Sequence, residues 1–191
     1  MSAVEAILNF WFGHPEEISY GKPRQVWFEA NPEFDRALQN AFMSEYQWAA
    51  TGELEDWKAS PRSCLALILL LDQFPRNVFR GTPQAFATDR QALATARYAI
   101  KHQFDCQLLP VQRWFIYLPL EHSETLDDQQ QSVELFTQLK DDPDSAEPIA
   151  FAIQHRDIIQ RFGRFPHRNQ ILGRETTPEE AEFLKQPGSS F

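Results

Sequence analysis

Three features of this sequence predict an all-helical fold. Polar–proline pairs recur where helices would begin, and apolar residues between them repeat at intervals of three and four. No convincing two-residue alternation marks a strand. The stretch Gln25-Val26-Trp27-Phe28-Glu29 is too short to count as one.

Taken in chain order, Asn31-Pro32 opens a clearly marked helix. The asparagine oxygen accepts an orphan N–H, and proline at the first helical position gives up no bond that the helix would use. Phe34, Leu38, Ala41, Phe42 and Ala49 form its stripe, and Thr51-Gly52 closes it. Ser60-Pro61 opens the next helix. It contains the run Leu65 to Leu71, apolar on every side, which places it at the centre of the core. It is predicted to stop there, because Pro75 disfavours helical geometry at Phe74 in the exit Asp72-Gln73-Phe74-Pro75-Arg76-Asn77.

Thr82-Pro83 is a weaker start, and Thr88-Asp89-Arg90-Gln91 has the pattern of a capping box for a longer helix striped by Leu93, Ala96 and Ile100. Pro119 interrupts the helix leading into "PLEHSE". Ser123 or Thr125 then caps an acidic helix striped by Val133, Phe136 and Leu139. A further helix carries Ile149, Ala152, Ile153 and Arg156 on one side and Phe151, His155, Ile158 and Phe162 on another. It leaves through Gly163-Arg164-Phe165-Pro166-His167-Arg168-Asn169. Thr177-Pro178-Glu179-Glu180 supplies a capping box for the last helix. The expectation is one domain over 1–186 with a short tail at 187–191.

Composition agrees with a folded globular chain: 42% hydrophobic and 13% aromatic residues in 191. Two cysteines outside any C-x-x-C make no disulfide framework, and "MSAVEAILNFWFG" lacks a basic leader. A cytoplasmic location is therefore expected. The run from Leu65 to Leu71 is far short of the ~20 residues that span a bilayer. A net charge of −9 disfavours duplex DNA as a partner. That charge is uneven. Residues 121–147 hold nine acids against Lys140, and residues 154–174 hold five arginines against Asp157.

Three stretches carry a family resemblance: "LDQFPRNVFRGTPQAFATDRQAL", "FIYLPLEHSE" and "HRDIIQRFGRFPHRNQILGRETTPEE". With weaker similarity from "ILNFWFG" to "EEAEFL", the chain resembles a bacterial domain-of-unknown-function family, number 924. The resemblance implies a tetratricopeptide-like helical array and carries no activity to transfer. The residues alone show no 34-residue period.

Two exits share one chemistry, Phe-Pro-Arg-Asn at 74–77 and Phe-Pro-His-Arg-Asn at 165–169, 91 residues apart. A decayed duplication accounts for this, and so does one turn chemistry used twice. Arginine is the only cation in either segment, and its planar fork suits carboxylate or phosphate. Arg76, Asn77, Arg80, Arg164, His167, Arg168 and Asn169 are therefore the candidates for a small-anion site. The alternative is an internal network pairing these arginines with Asp72, Asp89, Asp157 and Glu124 in a scaffold that binds a protein partner. A third reading makes the chain a hydrolase-like enzyme, with His122, Glu124 and His155 as acid–base candidates. His155 lies on an apolar face, where a satisfied core histidine is the simpler role. No helical pair of metal ligands and no phosphate-binding glycine loop appears, so neither a metal nor a nucleotide cofactor is expected.

Overall fold

A computed structural model of the protein describes residues 1–190; of the tail expected at 187–191, Phe191 lies outside them. The described residues are helical, with short 3-10 turns and no strand. The helices are α1 (Ala3–Phe12), α2 (Pro32–Thr51), α3 (Pro61–Ile68), α4 (Phe74–Val78) and α5 (Asp89–Lys101). They continue with α6 (Pro110–Glu121), α7 (Leu126–Thr137), α8 (Ala146–Phe162) and α9 (Pro178–Phe183). Asn31 and Ser60 cap α2 and α3 as their sequence suggests, Gly52 closes α2 in the left-handed region, and Thr177 with Glu180 forms a complete capping box. Among the described residues no helix is long and apolar enough to cross a membrane.

Residues 61–78 form the axis of the core, as the all-round apolar run requires. Leu65 to Leu71 are all buried, packed by α1, α2, α5 and α6. This rod does not end at Leu71. Phe74 keeps helical geometry (φ −52°, ψ −53°), and residues Leu69–Gln73 widen into one π-helical turn that leads directly into α4. The cause is Pro75. It has no N–H to give Leu71, and its ring would crowd that carbonyl in a regular α-helix. Widening the turn relieves the clash: Phe74 N–H reaches Leu69 O, and Leu71 O accepts from Thr88 Oγ1 at 2.6 Å. Arg76 and Asn77 side chains donate to Asp72 O and Gln73 O, both at 2.9 Å.

That use of Thr88 corrects the capping box expected at 88–91. Thr88 makes no cap bond, because its hydroxyl is committed to Leu71, and Gln91 Nε2 donates to Ala50 O instead. Thr82-Pro83 starts only a 3-10 turn, Pro83–Phe86. Pro119 does not break α6, which continues to Glu121; the proline lies so near the end that little helix remains beyond it. Thr125 is the residue before α7 but makes no side-chain cap bond.

Short connections fold α6, α7 and α8 back on one another. The buried face of α8 is Ala152, His155, Ile158 and Ile159, while Phe151 and Ile153 are exposed. Gly163, at φ +68°, ends α8, and Phe165 turns extended (φ −88°, ψ 109°) ahead of a 3-10 turn at Pro166–Arg168. Phe165 packs with Ile158 and Ile159 in a second, smaller apolar cluster. Beyond α9 the chain folds back, with Gln154 Nε2 donating to Gly188 O at 2.8 Å.

Candidate functional site

Asp72, last but one in the π turn, is fully buried, and its carboxylate is held from three sides. Arg76 Nη1 lies at 3.1 Å from Oδ1, His122 Nδ1 at 2.8 Å from the same oxygen, and Gln73 Nε2 donates to Oδ2 at 2.6 Å. Burial pushes the Asp72 pKa up, but Arg76, His122 and Gln73 outweigh it and hold the carboxyl well below the usual range. An ionised Asp72 can only accept, so His122 Nδ1 carries the proton and Nε2 keeps its lone pair. Burial and then Arg76 lower the His122 pKa against the pull of Asp72, so the ring is neutral at pH 7. His122 caps the C-terminus of α6 and retains 14% side-chain exposure; its Nε2 makes no hydrogen bond among the described residues.

The two Phe-Pro segments meet around Asp89. Arg76 grips both Asp89 oxygens, at 2.8 and 3.0 Å, and Arg168 Nη1 lies 3.8 Å from Asp89 Oδ2 while donating to His122 O at 3.0 Å. Arg80, Arg164 and Asn169 face elsewhere. Arg80 donates to Asn77 Oδ1 at 3.0 Å and lies 3.6 Å from Asp35. Arg164 binds Glu180 bidentately at 2.6 and 2.8 Å, and Asn169 Nδ2 donates to the same carboxylate at 3.2 Å. His167 packs its ring 5.6 Å from that of Phe165, and burial, with Arg168 second, lowers its pKa to about 4. Glu124 does not approach as a free base. Arg174 clamps it at 2.7 and 3.0 Å, and it accepts Phe165 N–H at 2.8 Å.

Deeper inside, His155 Nδ1 lies 3.1 Å from Glu121 Oε1 and 2.9 Å from Phe151 O. The contact is not an ion pair. Burial, reinforced by Asp72, raises the Glu121 carboxyl to about 8, and burial lowers His155 to about 3, so both are neutral near pH 7. Among the described residues no three His, Cys, Asp or Glu side chains converge as a metal ion would need.

A family model for a bacterial protein of unknown function, DUF924, matches residues 7–188. The chain belongs to that family. A solved structure of a protein of unknown function from Agrobacterium tumefaciens is 40% identical, with a TM-score of 0.84, covering 95% of this chain and 96% of that one. No curated protein matches. The DUF924 stretches noted in the sequence are the segments that assemble here: α3–α4 with Asp72, Arg76 and Asp89, the end of α6 with His122, and the exit of α8 with Arg168.

The sequence singled out His122 but not its partner, since Asp72 reads there only as a counter-ion for arginine. The available signal was position. Asp72 is a charged residue directly after seven apolar ones, on a helix expected at the centre of the core. Phe86, over which both Arg76 and Arg168 sit, at 5.7 and 4.9 Å, carried no sequence signal.

Proposed function

We propose that this protein is an acid–base enzyme acting on a small molecule, with His122 Nε2 as the general base and Asp72 as the residue that fixes its tautomer and orientation. One observation carries the reading: a buried, immobilised carboxylate 2.8 Å from His122 Nδ1, with the opposite ring nitrogen left open. A neutral imidazole backed by a carboxylate can take a proton from a substrate hydroxyl, water or carbon acid and return it later. The π turn supports the reading too, since such turns are frequent at functional sites. Arg76 keeps Asp72 charged, so its role is positioning.

The reading is tested by carbethoxylation of histidines followed by mass spectrometry. His122 is expected to react through Nε2, with exposed His14 and His102 as positive controls and buried His155 as the slow reference. An unreactive His122 in the folded protein would remove the proposed base. In a hydrolase and isomerase screen, His122→Gln should lower any activity found by about 10²–10⁴-fold.

A second reading is favoured by the ion pairs. Arg76, Arg164 and Arg174 are each committed to a carboxylate of this chain. That pattern supports arginines that hold a helical scaffold together, with a protein partner bound elsewhere.

A further inference from the structure

Arg168 is the least exposed arginine of the two segments. Its side chain is only 8% exposed, with the guanidinium carbon 4.4 Å from the Phe165 centroid and 4.9 Å from that of Phe86. Nη1 donates to His122 O, whereas Nε is buried and makes no hydrogen bond. The carboxylate within ion-pair range is Asp89, at 3.8 Å, and Arg76 already holds both of its oxygens. Arg76, Arg164 and Arg174, by contrast, each have a carboxylate oxygen within 2.8 Å, while the more exposed Arg80 lies 3.6 Å from Asp35.

We infer that Arg168 is the oxyanion-recognition residue of the His122 site, and that the substrate is a small molecule bearing a carboxylate or phosphate group. This rests on the acid–base reading above. A buried guanidinium with shared counter-charge is stabilised by a ligand oxyanion, whose paired oxygens match its fork. The bond to His122 O fixes the guanidinium beside the residue that supplies the base, which would set a bound anion next to the reacting centre. Burial, together with the like charge of Arg76, pushes the Arg168 pKa down to about 10, in keeping with a cation short of counter-charge.

Calorimetric titration with inorganic phosphate, and separately with oxalate, at constant ionic strength tests this. The wild type should bind at least one of them saturably, and which one distinguishes phosphate from carboxylate. Arg168→Lys, which keeps the charge and loses the fork, should bind about tenfold more weakly or worse. Asp89→Asn removes the carboxylate that Arg168 shares with Arg76 and should bind about tenfold more tightly; if Arg168→Lys does not fold, the uncharged Arg168→Gln placed in the Asp89→Asn background should cancel that gain. No saturable binding by either the wild type or Asp89→Asn overturns the inference, as does binding that is unchanged in Arg168→Lys. His122→Gln should still bind the probe. If His122 proves unreactive while binding persists, the acid–base reading fails and the anion site stands.

Discussion

The two Phe-Pro segments use nearly the same residues to build opposite structures. At 74–77 the helix absorbs its proline by widening into a π turn and continues; at 165–169 the helix has already ended and the proline opens a 3-10 turn. The difference lies two residues upstream. Gly163 enters the left-handed region at little cost and stops α8, whereas Asp72-Gln73 at the matching positions have no such freedom and stay helical within the buried stretch 64–75. The partners within reach then decide the chemistry. The first segment turns a carboxylate inward, where it orients His122. The second sends Arg164 and Asn169 toward Glu180, and Arg174 toward Glu124.

The comparison is broken most severely at Asp72. Asp72→Ala would leave Arg76 partly unpaired and His122 without a partner inside the core, at a cost of about 3–5 kcal/mol by denaturant unfolding. Glu180→Ala removes the corresponding hub of the second segment, but Arg164 is partly solvated, so about 2 kcal/mol is expected. Equal losses would mean that burial does not separate the two segments.

A pH titration sharpens the same contrast. Glu121 is buried, and its folded pKa of about 8 lies above the ordinary value of 4.5. Its contribution is therefore fully present below pH 4.5 and is lost as pH rises through about 8. Glu121→Gln, which mimics the protonated acid, should remain more stable than wild type at pH 9, by on the order of a few kcal/mol. Glu180 behaves in the opposite way. Held down to about 2, chiefly by its Arg164 hydrogen bonds, it supports stability above pH 4.5 and loses that support as pH falls toward 2. A wild type as stable at pH 9 as at pH 7, with no gain in Glu121→Gln, would place Glu121 in a more polar setting than its burial implies.

Much of the fold was legible in the residues: the caps at Asn31, Ser60 and Thr177, the stop at Gly52, and the burial of Leu65 to Leu71. These are local signals, and local physics fixes them. What could not be read was tertiary. Thr88 looks like a helix cap, yet it serves a carbonyl that Pro75 left free 17 residues earlier. Asp72 and His122 are 50 residues apart, and nothing local couples them. The arginines read in the sequence as ion-pairing residues, but Arg168, the least exposed of them, is distinguished only by its neighbours in space.

Gly163→Ala tests the upstream cause directly. A Cβ there meets nothing within 4 Å, so the cost is that of the left-handed backbone alone, about 1 kcal/mol. A larger loss would show that the exit also depends on packing around the turn.

The smallest effect, and the one most specific to mechanism, is expected from Pro75→Ala. The substitution loosens the unfolded chain, which destabilises by about 0.4–1 kcal/mol. It also restores an N–H that can reach Leu71 O in a regular α-helix, which stabilises by about 0.5–1.5 kcal/mol. The net change in stability should therefore be near zero, while the backbone is free to relax from π to α. A crystal structure of the variant decides between two causes. If the turn becomes α-helical and Thr88 Oγ1 loses Leu71 O, the proline alone made the π turn. If the turn persists with alanine, it is held by what Asp72 bonds to across the core, and the distortion belongs to the His122 site instead of to the local sequence.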